Sequence, residues 1–144
     1  MVMEAENLKI SSQACFPLYV LSREITGIYR PYLDALDLTY PQYLVLMVLW
    51  EQQPQTVNAI GEILHLDSGT LTPLLKRLEA KKLISRQRKS CDERVVEITL
   101  TETGTELQGE ARKIPEKVIQ TLDISQDEIN QLKAITRKIL QRIQ

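Results

Sequence analysis

Residues 67–94 constrain this chain more than any other stretch. Leu71, Leu74, Leu75 and Leu78 recur at i, i+3, i+4 and i+7, the stripe of a helix with one face on a core. Ser68, Thr70, Thr72, Lys76 and Arg77 fall on the opposite side. The helix runs into a basic segment, Arg86-Gln87-Arg88-Lys89-Ser90-Cys91-Asp92-Glu93-Arg94. A helix buried on one side and polar on the other has the shape needed to read a DNA groove. Its plain alternative is a solvated helix end followed by a surface hairpin.

Charge sharpens the first reading locally. The chain as a whole carries a net charge of -1. From Lys76 to Arg94 there are eight Lys/Arg against three Asp/Glu, a surplus of five positive charges, which leaves the remainder at -6. Contact with phosphate is therefore expected in one segment only.

Size and composition exclude several classes. A chain of 144 residues with 43% hydrophobic and 26% charged residues reads as one globular domain with helical extensions. No apolar run approaches the ~18 residues of a membrane span. Residues 1–12 are polar and lack the pattern of a secretory signal, so a cytoplasmic protein is expected. Cys15 and Cys91 lie far apart in sequence, which in a reducing compartment favours free thiols over a structural disulfide. Cysteine and histidine are not spaced for a metal, so no metal and no cofactor are expected. His65, the single histidine, reads as an inter-helix turn residue.

Along the chain, Ser12 is the expected N-cap of a helix reaching about Tyr29 and stopped near Pro31. That helix is apolar on nearly all sides, so it is either central or part of a subunit interface. Thr39 caps the next helix, with Pro41 in its first turn and Pro54 beyond its end. Thr56 opens a third, and a turn at His65 and Leu66 leads to Asp67, the cap of the helix described first. Two short helices so joined form a helix-turn-helix. Pro73 lies inside the second, where Gly69 four residues earlier eases its fit. Residues 83–88 and 94–100 read as strands joined by a charged loop over 89–93. Thr101 opens a long helix that Pro115 kinks. Ser125 to Glu128 is a capping box for the last helix, whose stripe of Ile129, Leu132, Ile135, Ile139, Leu140 and Ile143 runs nearly to the chain end. Pairing of the first and last helices with a second copy covers that stripe economically.

With Ser12 as N-cap, Cys15 falls at the third helical position, where free amides and the helix dipole favour a thiolate. Tyr19, one turn on, is placed to donate a hydrogen bond to it. A peroxide oxidises such a thiolate to a sulfenic acid. The residues alone leave this open beside the blander reading of a cysteine packed inertly on an apolar helix. Cys91 reads as an incidental exposed thiol.

Cys15-Phe16-Pro17-Leu18-Tyr19, Thr39-Tyr40-Pro41-Gln42-Tyr43-Leu44, residues 66–78 and Asp92-Glu93-Arg94 together resemble the MarR family of winged-helix repressors, in particular its organic-hydroperoxide-resistance regulators. The likeness spans roughly residues 10–142. It implies a mainly α fold: a winged helix-turn-helix over about 39–100 with a small β-hairpin wing, and dimerisation helices over about 12–30 and 101–143, all in one MarR-like domain. It implies a homodimer that binds an inverted-repeat, double-stranded operator when reduced. Cys15 is then the sensor of organic hydroperoxide, hydrogen-bonded by Tyr29 and Tyr40 with Tyr19 nearby from the partner subunit. Oxidation releases the operator and derepresses a gene for peroxide detoxification.

Under that reading Ser68, Thr70, Thr72 and Pro73 reach base edges, while Lys76 and Arg77 suit phosphates. Arg94, with Asp92, places the wing in the minor groove, and Arg86, Arg88 and Lys89 contact the backbone. Some regulators of this branch have a second, resolving cysteine in the C-terminal helices. This chain has none there, so a one-cysteine route is expected, in which a low-molecular-weight thiol traps the sulfenic acid or strong oxidant drives it further. Three other functions compete: a MarR-like repressor answering a phenolic ligand, a broader thiol-based regulator of the virulence type, and a thiol peroxidase. The last lacks the strand–helix alternation of a thioredoxin-like enzyme.

Overall fold

Helices around a buried leucine cluster, together with a small antiparallel sheet, make up the larger of two compact units. The computed structural model describes residues 8–144. The chain divides into two compact units, one ending at Arg112 and the other Lys113–Gln144.

The first unit begins with a 3₁₀ turn, Ile10–Ser12. Helix α1 follows at Cys15–Asp34, α2 at Tyr40–Glu51, and a two-residue strand β1 at Gln55–Thr56. Helices α3 (Val57–Leu64) and α4 (Ser68–Ala80) come next, then β2 (Ile84–Lys89), β3 (Asp92–Leu100) and α5 (Glu102–Ala111).

Ser12 does not cap α1. Its amide donates to Lys9 O in the 3₁₀ turn, so it is engaged before the helix begins. Ala14 stands at the N-cap without a side-chain bond, and Cys15 is the first helical residue, not the third. Nor does Pro31 stop the helix, which runs one turn further to Asp34. The carbonyl that its ring crowds belongs to Gly27, a residue free to tilt. Leu33, 2% exposed, anchors the extra turn in the core.

Thr39 makes the expected capping box with Gln42, whose side chain accepts from the Thr39 amide at 3.1 Å. Helix α2 is central: Tyr43, Val45, Leu46, Val48 and Leu49 are all buried. Thr56 caps α3 through the Ala59 amide (3.1 Å) and Asp67 caps α4 through the Thr70 amide (2.7 Å). His65 makes the turn between them with φ 54°. The stripe of Leu71, Leu74, Leu75 and Leu78 is buried, as its spacing requires.

The sheet has the order β1-β3-β2, all antiparallel. Ile84 pairs with Leu100 and Arg88 with Val96; an irregularity after Arg88 then brings Lys89 opposite Asp92. The expected charged loop shrinks to a turn at Ser90 and Cys91. Strand β1 pairs through Gln55 and Thr56 alone, too short a segment to alternate.

In the second unit, α6 spans Ile114–Leu122 and α7 Gln126–Ile143. One kinked helix is expected from Thr101 onward; the chain instead breaks at Arg112 and Lys113. Pro115 offers no amide to Ala111 and crowds its carbonyl, and Ala111 lacks the freedom of Gly27 or Gly69. Pro115 serves as the second residue of α6, where the missing amide costs nothing. The capping box at Ser125 forms with Glu128. No residue of α7 is buried, and Leu132, Ile135, Ile139, Leu140 and Ile143 remain exposed.

Candidate functional site

Two groups of functional side chains stand apart in the first unit. The cationic group lies on α4 and the wing. Burial of the leucine stripe turns Ser68, Thr70, Pro73, Lys76 and Arg77 outward, with Thr72 half-buried. Between α4, the wing and the start of α3 runs a groove of about 520 Å³, lined by Asn58, Thr72, Lys76, Arg86, Arg88 and Arg94, among others. Thr56 and Asn58 also border it, although the sequence marks Thr56 only as a cap and does not mark Asn58. Their signal is position, at the opening of the first helix of a helix-turn-helix.

Each wing cation has its own setting. The Arg94 side chain is 93% exposed, and Asp92 Oδ1 accepts from its amide at 3.0 Å and its Nε at 3.4 Å. Asp92 thus aims Arg94. Arg88 donates to the Glu93 carbonyl at 3.1 Å. Lys89 pairs with Glu97 at 2.9 Å, and that hydrogen bond holds its ammonium above the usual lysine range. Arg86 is bound to Glu79, whose carboxyl the arginine's hydrogen bond keeps below its ordinary range.

The second group is aromatic. Tyr29 and Tyr40 pack with ring centroids 4.9 Å apart and planes tilted by 56°, and Tyr43 joins them at 5.9 and 6.3 Å. Burial raises the phenol of Tyr29, with Tyr40 adding to it, and burial raises Tyr40. Tyr43 is pushed up to about 12, first by burial and then by the charges Tyr29 and Tyr40 can carry. The spacing of Tyr43 on α2 marks it as core, which hides its place in this cluster from a reading of the sequence. It leads on to Trp50, 6.3 Å away, whose Nε1 donates to Gly104 O at 2.8 Å.

Cys15 is exposed at the start of α1. Tyr19 is exposed too, with the Arg23 guanidinium 5.4 Å from its ring centre. Among the described residues no hydrogen bond joins the Cys15 thiol to a tyrosine. Cys15 and Tyr29 lie on one helix, fourteen residues apart, a separation of roughly 21 Å at ~1.5 Å per residue. Tyr29 therefore cannot bond the Cys15 of its own chain. Cys91, also free and exposed, sits at the wing turn.

Among the described residues, no group of three or more His, Cys, Asp or Glu is arranged to hold a metal, and no helix is long and apolar enough to cross a membrane. A helix-turn-helix with a polar recognition face, followed by a basic antiparallel hairpin, defines a winged helix-turn-helix transcriptional regulator.

Known proteins agree. The family model described as transcriptional regulator SarA/Rot matches residues 27–110. The organic hydroperoxide resistance transcriptional regulator of Bacillus subtilis is 46% identical over 138 residues, 96% of this chain and 94% of that protein. The HTH-type transcriptional regulator SarZ of Staphylococcus haemolyticus is 42% identical over 130 residues, 88% of each. Reduced AbfR bound to DNA has a TM-score of 0.79 at 38% identity, with 100% of both chains covered. AbfR, from Staphylococcus epidermidis, is also known overoxidised on DNA. The chain belongs to the SarA/Rot family of transcriptional regulators, whose winged helix is of the MarR type.

Proposed function

We infer that this protein is a redox-sensing transcriptional repressor. A reduced homodimer binds an inverted-repeat operator in double-stranded DNA. An organic hydroperoxide oxidises Cys15, the operator is released, and a gene for peroxide detoxification is expressed. The observation that carries this reading is an exposed thiol on the first turn of α1, in a chain 46% identical to an organic hydroperoxide regulator.

The chemistry is a two-electron exchange. The Cys15 thiolate attacks one peroxide oxygen, an S–O bond forms and the O–O bond breaks. The alkoxide leaves, takes a proton and becomes an alcohol, and the sulfur is oxidised to a sulfenic acid. A low-molecular-weight thiol then condenses with it, giving a mixed disulfide and water. Without that thiol, further hydroperoxide carries the sulfur to the sulfinic acid. The step to the sulfenic acid is stoichiometric, one equivalent per thiol, and belongs in the reducing cytoplasm.

The dimer unites the two groups of residues. Exposed apolar side chains on α1 (Phe16, Leu18, Leu21) and on α7 (Ile135, Ile139, Ile143) are each available to a second copy of the chain. Two α4 helices about a two-fold axis enter successive major grooves ~34 Å apart. Ser68, Thr70, Thr72 and Pro73 face base edges, Lys76, Arg77 and Arg88 face the backbone, and Arg94 enters the minor groove. Tyr29 and Tyr40 of one subunit serve the thiol of the other, with Tyr19 beside its own. Loss of their hydrogen bonds on oxidation shifts a packed interface between discrete arrangements.

The test is fluorescence anisotropy of an inverted-repeat duplex during titration with cumene hydroperoxide. Release complete near one equivalent per subunit supports the repressor. Repeated peroxide consumption with a dithiol reductant supports a peroxidase instead.

A further inference from the structure

The cations that wall the groove beside α4 are not equivalent. Arg86 sends Nε (2.8 Å) and Nη2 (2.7 Å) to one oxygen of Glu79, with both side chains part-buried at 28% and 38% exposure. Any phosphate reaching Arg86 must first displace a carboxylate that already holds it. The pair is neutral, so binding there releases no condensed counterion. Lys76 is exposed and makes no ion pair among the described residues. Arg88 spends one donor on a carbonyl and keeps the rest of its fork.

Position adds a second argument. Glu79 lies in the last turn of α4 and Arg86 is the third residue of β2. Their bridge ties the end of the recognition helix to the root of the wing, across the connection at residues 81–83. The link is doubly hydrogen-bonded and part-buried, and it joins the two elements that wall the groove.

We propose that Arg86 and Glu79 are a positioning pair: they fix the spacing between recognition helix and wing, and Glu79 withholds Arg86 from the DNA backbone. This rests on the DNA-binding reading above. Lys76, by contrast, is a phosphate contact. On this proposal Arg86 acts through Glu79 rather than on the DNA backbone.

The experiment is operator binding by the reduced full-length protein across a salt series, for wild type, Lys76→Gln, Arg86→Gln and Glu79→Ala. Removing one phosphate partner from each subunit of a dimer lowers the slope of log K against log salt by about 1.8. Lys76→Gln is expected to show that drop. Arg86→Gln is expected to weaken operator binding with the slope unchanged, and Arg86→Lys to recover part of the affinity. Glu79→Ala frees Arg86, so its slope steepens by about 1.8 and binding to unrelated duplex tightens. A slope for Arg86→Gln that falls as far as that of Lys76→Gln overturns the proposal. If Arg86→Gln does not fold, Glu79→Ala decides alone, and an unchanged slope overturns it. A wild type that binds no duplex at any salt defeats the DNA-binding reading itself.

Discussion

Replacing Gly104 with alanine tests the junction between wing and helix α5. A Cβ built there meets the Leu83 carbonyl oxygen at 2.0 Å and Leu100 Cδ2 at 3.3 Å. An ordinary C···O contact is ~3.3 Å or longer, so backbone must separate by roughly 1 Å. Three hydrogen bonds converge on this point: Trp50 Nε1 to Gly104 O (2.8 Å), Thr101 N to Leu83 O (3.1 Å) and Gly104 N to Thr101 Oγ1 (3.1 Å). Overpacking costs ~1–3 kcal/mol and each weakened hydrogen bond ~1 kcal/mol, while alanine over glycine in a helix returns ~1 kcal/mol. A net loss of about 3 kcal/mol lowers Tm by roughly 6–12 °C for a chain of this size. The assay is thermal unfolding by circular dichroism at fixed protein concentration. Fluorescence of Trp50, the single tryptophan, reports the local change. Gly109→Ala, in the same helix with nothing within 4 Å of the new methyl, is the control and is expected to be neutral or slightly stabilising. A Gly104→Ala midpoint within about a degree of wild type refutes the steric reasoning.

Two further outcomes concern the tyrosine cluster and the wing. Tyr43 keeps its proton up to about 12 in the fold, whereas the unfolded chain releases it near ~10. Above pH ~10 the unfolded state therefore binds fewer protons, and stability falls as pH rises toward 12. Urea midpoints at a series of alkaline pH values should show this decline, shallower in Tyr43→Phe; equal slopes in the two proteins contradict it. Arg94→Ala removes a side chain that is 93% exposed, so Tm should hold while operator affinity drops about tenfold or more. An unchanged affinity removes the wing from the interface.

Much of this molecule is legible in its residues. Caps at Thr39, Thr56, Asp67, Thr101 and Ser125 need only the amide two or three residues on, so their spacing suffices. The leucine stripe of α4 is equally plain, whereas the tyrosines at 29 and 40 come forward only through the family resemblance. Pro31 and Pro115 mislead where Pro73 does not, because the cost of a ring depends on what lies four residues earlier: Gly27 and Gly69 accommodate Pro31 and Pro73, and Ala111 does not accommodate Pro115. Ser12 matches a cap by type, but a 3₁₀ turn claims its backbone first. Pairing of β1, the Glu79–Arg86 bridge and the approach of Gly104 to Leu83 depend on tertiary placement, which no local pattern encodes. The distance from Cys15 to Tyr29 follows from helix rise alone, once α1 is known to be continuous.

The proposed function makes Cys15 the trigger on which release depends. Operator binding at one stated salt concentration, with and without organic hydroperoxide, should be compared for wild type and Cys15→Ser. Wild type is expected to lose the operator on oxidation and to regain it with dithiol if the sulfur has stopped at a disulfide. Cys15→Ser is expected to bind as tightly as reduced wild type and to stay bound. A Cys15→Ser protein that leaves the DNA on adding hydroperoxide contradicts Cys15 as the sensor.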